Sequence, residues 1–382
     1  MTIVISKYVF KMKFLSFCRL HLKHLGPSYM NKTYCSIATE EKSLCNEECN
    51  YSHTPVMVEE VIRAFQPTNN QIYIDFTFGA GGHSRHLLNA AKIQLYCLDR
   101  DPVAFEKCKT FAKESSGQVT PLIGRFSELR TVLNEAGVQP GSVDGILIDA
   151  GCSSMQMDEA KRGFSISKNG PLDMRMDGNR FPDQPTAADI LNHLDVPNLA
   201  KIFKSYGEEK HAKKVAQALF DARYMLKTIN TTSELADLVQ SILGGSRFDK
   251  LNRSAHVATK VFQALRIFVN DELNELNYAM EMAYTYLKPG GKIAALTFHS
   301  LEDRIVKRHI MGIHIDEPVS QTLRQKYRNA NVLYSQEDIN AVLSKKWTSL
   351  YKHVITPTEE EISQNPRSRS AKLRAAVKNK VT

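Results

Sequence analysis

The sequence predicts an α/β fold: a mostly parallel sheet with helices on both faces, interrupted by a helical insert. Three observations predict it. Between residues 56 and 149, short β-branched and aromatic runs alternate with helical patterns of about ten residues. A glycine-rich turn, Gly79-Ala80-Gly81-Gly82, joins the first such run to the helical pattern after it. Finally, about 140 residues separate Asp149 from the next convincing strand, far more than one crossover helix needs.

Taken in order, Val56–Phe65 reads as a helix and Ile72–Phe76 as the first strand. The glycine turn then opens a helix over Gly82–Ala91, followed by a strand over Gln94–Leu98 and a helix over Pro102–Lys113. Val119–Ile123 is the third strand, Phe126–Ala136 a helix, and Val143–Ile148 the fourth strand, ending at Asp149. Thr186-Ala-Ala-Asp189 and Thr231-Thr-Ser-Glu234 have the spacing of capping boxes, so the insert is expected to be helical. Val257–Leu287 has the period of one long helix, stopped by Lys288-Pro289-Gly290-Gly291 before a strand over Lys292–Phe298. Lys345–Ile355 and Ser368–Val377 are expected to form a final antiparallel pair. The expected division is a basic leader (1–39), a flexible linker (40–52), a core in two parts (53–155 and 257–377), an inserted helical substrate-binding domain (156–256) and a short tail (378–382).

The net charge of +9 over 382 residues suggests a nucleic-acid partner until it is located. Residues 1–39 hold six Lys/Arg and no acid, and residues 366–382 hold six more and no acid. Without those twelve, 38 bases face 41 acids, so the body is not basic and RNA contact must come from local patches. The leader mixes Ser, Phe and Leu with Lys and Arg, the composition of a mitochondrial transit peptide, with a disordered basic tail as the alternative. The seven cysteines form no zinc-like double pair, so no metal site is expected. No run of eighteen apolar residues occurs, so no membrane partner is expected.

The turn Gly79–Gly82 and the acid at Asp99 have the arrangement that holds a nucleoside-containing cofactor: glycines admit the ligand and the second acid takes ribose hydroxyls. A dinucleotide loop wants a third glycine where Ser84 stands, and Asp75 just before the turn would repel a pyrophosphate. S-adenosylmethionine has no phosphate and carries cationic groups, so it is the expected cofactor, with a dinucleotide as competitor. Asp149-Ala150-Gly151-Cys152-Ser153-Ser154 follows the fourth strand, where such sheets face the reacting group. Asp149 there either accepts a hydrogen bond from an amine being methylated, with Ser153 or Ser154 orienting it, or caps the next turn. In Phe298-His299-Ser300-Leu301-Glu302-Asp303-Arg304, Ser300 reads as an N-cap with Asp303 completing its box, and His299 is either structural or catalytic.

Several segments together carry a resemblance. Thr77–Ser84, Arg162-Gly-Phe-Ser165, Gly170-Pro-Leu-Asp-Met-Arg-Met-Asp177, Phe262-Gln-Ala-Leu-Arg-Ile267, Val269-Asn-Asp-Glu-Leu273, Phe298–Arg304 and Asn365-Pro-Arg-Ser-Arg-Ser-Ala-Lys-Leu-Arg374 resemble the bacterial small-subunit ribosomal RNA cytosine-N4 methyltransferases. The resemblance runs from about His53 to Arg374. With the leader, it extends to the mitochondrial branch of that family, which acts on 12S ribosomal RNA. It implies a class I S-adenosylmethionine-dependent methyltransferase fold, Rossmann-like, with an inserted helical domain. It also implies cofactor contacts at Ala80, Gly81, Gly82 and His83, at Asp99 on the ribose, at Phe126 by the adenine, and at Asp149 and Gln156. The implied partners are mitochondrial small-subunit rRNA and the assembling small subunit with its assembly factors. Ala80, Ala150, Cys152, Val257 and Lys260 depart from the common family residues, and none removes a group the cofactor chemistry needs.

For catalysis, Asp149 helped by Ser153 is the expected hydrogen-bond acceptor for cytosine N4, with Asp173 and His299 in reserve. Two rivals share the cofactor half: a methyltransferase for proteins or small molecules, and a non-catalytic ribosome-assembly factor that keeps the pocket. The insert does not separate them by charge, since residues 156–258 hold 15 bases and 13 acids.

Overall fold

In the computed structural model, residues 54–225, 228–245, 247–248, 254–313 and 345–380 are described. The expected leader and linker lie outside them. The first four strands are β1 (Ile72–Asp75), β2 (Gln94–Asp99), β3 (Val119–Ile123) and β4 (Val143–Asp149). A two-residue ladder in the insert, β5 (Arg247–Phe248) and β6 (Ser254–Ala255), precedes β7 (Leu287–Thr297), β8 (Trp347–Ser349) and β9 (Lys372–Lys378). Seven of these form one sheet in the order β3-β2-β1-β4-β7-β9-β8. The five strands from β3 to β7 are parallel, and β9 runs antiparallel between β7 and β8. The strand order reverses beside β1 and β4, and ligands of open α/β sheets bind outside the carboxyl ends at such a point.

Side chains alternate across this sheet, which is why its strands are apolar on both faces. Ile74, Leu98, Ile146, Ile293 and Ala295 join one buried cluster. Tyr73, Leu95, Cys97, Leu147, Ala294 and Leu296 join the cluster on the other face. Helices α1 (Val58–Phe65), α2 (Gly82–Ala90) and α3 (Pro102–Glu114) cover the second face. The segment expected as one helix after β3 is a 3₁₀ turn (Phe126–Glu128) running into α4 (Leu129–Glu135). A five-residue helix, α5 (Ser154–Asp158), follows β4.

The residues that follow are mainly helical: α6 (Ala187–His193), α7 (Val196–Gly207), α8 (Ala212–Met225) and α9 (Thr232–Leu243). Thr186 and Thr231 make the capping boxes read from the sequence, with Asp189 and Glu234 as their partners. At the end of α7 the chain passes so close to a later helix that a Cβ on Gly207 would lie 2.4 Å from the Lys260 carbonyl oxygen.

Two sequence readings are corrected here. The pattern Val257–Leu287 is not one helix but two, α10 (Thr259–Asn270) and α11 (Glu272–Tyr286), separated by Asp271 in the left-handed region at φ 53°. Buried Asn270 shows why the break is held. Its Nδ2 donates to the carbonyls of Met174 and Arg266, and its Oδ1 accepts from the Met176 N–H. The second correction concerns helix α12 (Ser300–Met311), whose N-cap is His299, with Glu302 completing the box, rather than Ser300 with Asp303. Asp303 instead receives the Arg374 guanidinium from β9. A last helix, α13 (Glu359–Gln364), and a 3₁₀ turn over Pro366–Ser370 lead into β9. Among the described residues, no helix is long and apolar enough to cross a membrane.

Candidate active site

A cavity of about 560 Å³ opens at the carboxyl ends of β1, β2 and β4. Its floor is the turn after β1, and Gly81 has φ 80° there, with its α-carbon face so close to the Phe78 ring that an added Cβ would sit 2.7 Å from it. The acid before the turn, Asp75, is not among the cavity-lining residues. Its oxygens accept from the Ser84 hydroxyl at 2.7 Å and the Thr77 N–H at 3.0 Å, so it braces the turn from behind. Ser84, standing where a dinucleotide fold has its third glycine, is fully buried by that bond.

At the end of β2, Asp99 accepts from the Gly79 N–H at 2.7 Å and the Asp101 N–H at 2.9 Å. Burial pushes its carboxyl up to about 6 although these two bonds pull it down. Phe126 lines the same end of the cavity, its ring centroid 6.1 Å from that of Phe76. An apolar ring beside an acceptor is the combination an adenosine requires.

Asp149 at the end of β4 differs. Its Oδ1 is buried and has no hydrogen-bond partner, while its Oδ2 lies 3.9 Å from His83 Nδ1. Burial, then the charges of Asp75 and Glu302, push this carboxyl up to about 8. His83 Nε2 lies 2.9 Å from the Val56 carbonyl, which can only accept, so Nε2 carries the proton and a neutral ring turns its Nδ1 lone pair toward Asp149. Ser153 caps α5: its Oγ accepts from the Gln156 N–H, and Gln156 Oε1 accepts from the Ser153 N–H.

The wall beyond β4 is a buried ionic network of which only His299 was among the site residues expected from the sequence. Arg266 grips both oxygens of Glu272 at 2.9 Å and approaches Cys152 Sγ at 3.3 Å. Glu302 Oε2 accepts from the Phe298 N–H at 2.8 Å, and Oε1 lies 2.9 Å from His299 Nε2. Burial alone would raise the Glu302 carboxyl, but His299 and Arg266 outweigh it and hold the group low. Glu272, His299 and Glu302 bring ligand-type atoms within 4.8 Å of one another, and the Arg266 fork already supplies the positive charge there. The signal for this wall lay in Phe262–Ile267 and Val269–Leu273, whose arginine and glutamate flank the helix break at Asp271.

The expected site residues are thus only partly gathered. Ala80, Gly82, His83, Asp99, Phe126, Asp149, Ser153 and Gln156 line the cavity, and Gly81 shapes it from below. Gln156 is committed elsewhere, its Nε2 donating to Asp101 Oδ2 at 2.8 Å. The structure does not bring Asp173 to the cavity; that carboxylate is forked with Arg175 at 2.7 and 2.8 Å. His299 stands just outside, between the lining residues Phe298 and Glu302.

A 560 Å³ cavity with a glycine-rich floor, carboxyl groups at the ends of β2 and β4 and an aromatic wall fits S-adenosylmethionine, which brings cations but no phosphate. Comparisons with known proteins agree. The chain is 48% identical over 352 residues to a Mus musculus protein named 12S rRNA N(4)-cytidine methyltransferase METTL15, covering 89% of this chain and 86% of that one. It is 42% identical over 324 residues to the Ribosomal RNA small subunit methyltransferase H of Parvibaculum lavamentivorans, covering 85% of this chain and 88% of that one. A much longer Culex quinquefasciatus protein, named as a receptor-type tyrosine-protein phosphatase, is 53% identical over 328 residues, and the chain spans only 22% of its length. The model of the MraW methylase family matches residues 50–379, and the chain belongs to that family of S-adenosylmethionine-dependent methyltransferases.

Proposed function

We propose that the protein transfers a methyl group from S-adenosylmethionine to N4 of a cytidine in mitochondrial small-subunit (12S) ribosomal RNA. The observation that carries this reading is the Asp149 carboxyl group at the end of β4, which lines a cavity whose other end suits an adenosine. The mouse and bacterial relatives, which by name act on ribosomal RNA, support it. A mitochondrial matrix location and work on the assembling small subunit are part of the proposal, supported by the acid-free basic leader.

The bound cofactor supplies an electrophilic methyl group on a sulfonium. The residues of the chain must orient the amine and handle its proton, because the N4 lone pair is delocalised into the ring. The Asp149 carboxylate, where it lines the cavity, accepts one N4 hydrogen, drawing the lone pair toward the methyl. Its raised affinity for a proton lets the same carboxylate take that hydrogen as positive charge builds on nitrogen. Ser153, held at the start of α5 by Gln156, keeps a hydroxyl hydrogen free to orient the base. Arg266, Glu272 and Glu302 hold the 150–153 loop from beneath, with Arg266 on Cys152. The cytidine must leave its stack to reach this depth, which favours single-stranded or loosely paired RNA.

The test is to map N4-methylcytidine in mitochondrial 12S rRNA from cells with and without the protein. Loss of the mark, restored by the wild-type chain and not by Asp149→Asn, is the expected result. An unchanged mark would sink the reading. Restoration by Asp149→Asn would remove Asp149 from the chemistry, and cofactor affinity without methyl transfer to small-subunit RNA would reduce the protein to an assembly factor that keeps the pocket.

A further inference from the structure

We propose that Arg369 grips a backbone phosphate of the RNA strand whose cytidine enters the cavity, which rests on the reading of RNA as substrate. Five arginines line the cavity: Arg100, Arg125, Arg266, Arg367 and Arg369. Four of them face carboxylates. Arg100 and Arg125 share Asp177, Arg266 holds Glu272, and Arg367 holds Asp158 at 2.6 Å. Among the described residues, Arg369 alone of the five makes no hydrogen bond or ion pair.

An exposed arginine is ordinarily just solvated, so its presentation matters. The Pro366–Ser370 turn is fixed on both sides. Asn365 Nδ2 donates to the Thr54 carbonyl at 2.9 Å, and fully buried Ser368 donates its hydroxyl to the Asn365 carbonyl at 2.8 Å. The backbone therefore points Arg369 at the rim without a loop having to order. Two residues away, Arg367 is spent on Asp158, which also holds Lys168, so Arg369 is the rim arginine left without a carboxylate. S-adenosylmethionine presents no phosphate, so this cation has no counterpart in the nucleoside half of the cofactor. A guanidinium fits phosphate oxygens with two parallel N–H donors.

The experiment uses the full chain, an in vitro transcribed fragment of 12S rRNA, and the variants Arg369→Ala and Arg369→Lys. Methyl transfer is measured with RNA and S-adenosylmethionine each titrated, and RNA binding is followed by fluorescence anisotropy across a salt series. For Arg369→Ala the expected result is a rise of about five- to tenfold in KM for RNA, with kcat and cofactor Kd within about twofold. The slope of log affinity against log salt should become shallower by about 0.7, the share of one phosphate on a single strand. Arg369→Lys should recover most of the loss. If KM and slope do not move while the wild type is active, the proposal fails and the function stands. A raised cofactor Kd with unchanged KM for RNA would reassign Arg369 to the cofactor's carboxylate and also overturn it. Wild-type protein that binds the RNA but transfers no methyl group would sink the substrate reaction, and the anisotropy slope would still decide Arg369.

Discussion

Two buried acids, Asp149 and Asp177, stand at opposite extremes. Asp177 is fully buried and collects Arg100, Arg125 and Arg180. Burial would raise its carboxyl, yet the Arg100 and Arg125 guanidinium groups hold it below the usual range. Asp149 has an oxygen with no partner and is pushed up to about 8. Burial is common to both, so partners decide the outcome. A carboxylate surrounded by cations becomes a fastener between the 170–180 loop and the core. One pushed up by burial and neighbouring acids, and lining the cavity, is suited to the proton-accepting role proposed above.

The contrast can be broken by experiment. The largest effect is expected at Asp149→Asn, which should lower kcat by about 10²–10⁴-fold while changing cofactor Kd by only a few fold. Equal losses in both would make Asp149 a binding residue. Asp177→Ala should cost about 3–5 kcal/mol of stability, read by chemical denaturation, because it removes the carboxylate that Arg100 and Arg125 share, while Arg180 keeps Glu128. A cost under about 1 kcal/mol would deny it the role of fastener. Asp99→Ala should weaken cofactor binding about ten- to a hundredfold by calorimetry, since it removes an ionised hydrogen-bond acceptor.

The pH profiles sharpen the comparison further. An ionised Asp149 is needed to accept the N4 hydrogen, so kcat/KM should rise with pH and level off above about 8. A profile flat from 6 to 9 would exclude that role. Cofactor Kd should rise as pH falls through about 6, where Asp99 takes up a proton. The smallest effect concerns stability. Asp149 binds its proton more tightly folded than unfolded, so its contribution is full below the unfolded value near 4 and is lost as pH rises through about 8. Asp149→Asn should therefore raise Tm by a few degrees at pH 9 and by less at pH 5.

Local signals were enough for most of the sheet. β3 matches its reading from Val119 to Ile123, and the two threonine boxes cap the helices expected of them. What resisted reading was decided by partners far along the chain. Periodicity runs unbroken through Asn270-Asp271, because the bonds that hold the break come from Met174 and Met176. Ser300 has the better capping chemistry, yet His299 caps α12 because the Glu302 side chain reaches back to the His299 N–H. In the site, the glycine turn and Asp99 were legible because one βαβ unit contains them. The Arg266–Glu272–Glu302 wall was not, since nothing local distinguishes its members from a solvated ion pair. Likewise Asp75 read as a ligand-facing acid, and only Ser84 and Thr77 show that it faces backward.

The rim of the cavity joins the two ends of the described fold. Pro55 and Val56 line it from one end and Pro366–Ser370 from the other, stitched by Asn365 to Thr54 and by Glu361 to the Met57 N–H. A nascent chain therefore cannot assemble this pocket until residue 370 has cleared the ribosome that makes it. Completion of the pocket waits on this late segment, and a product terminated before it would lack the gateway to its own active centre together with the β9 strand that carries β8.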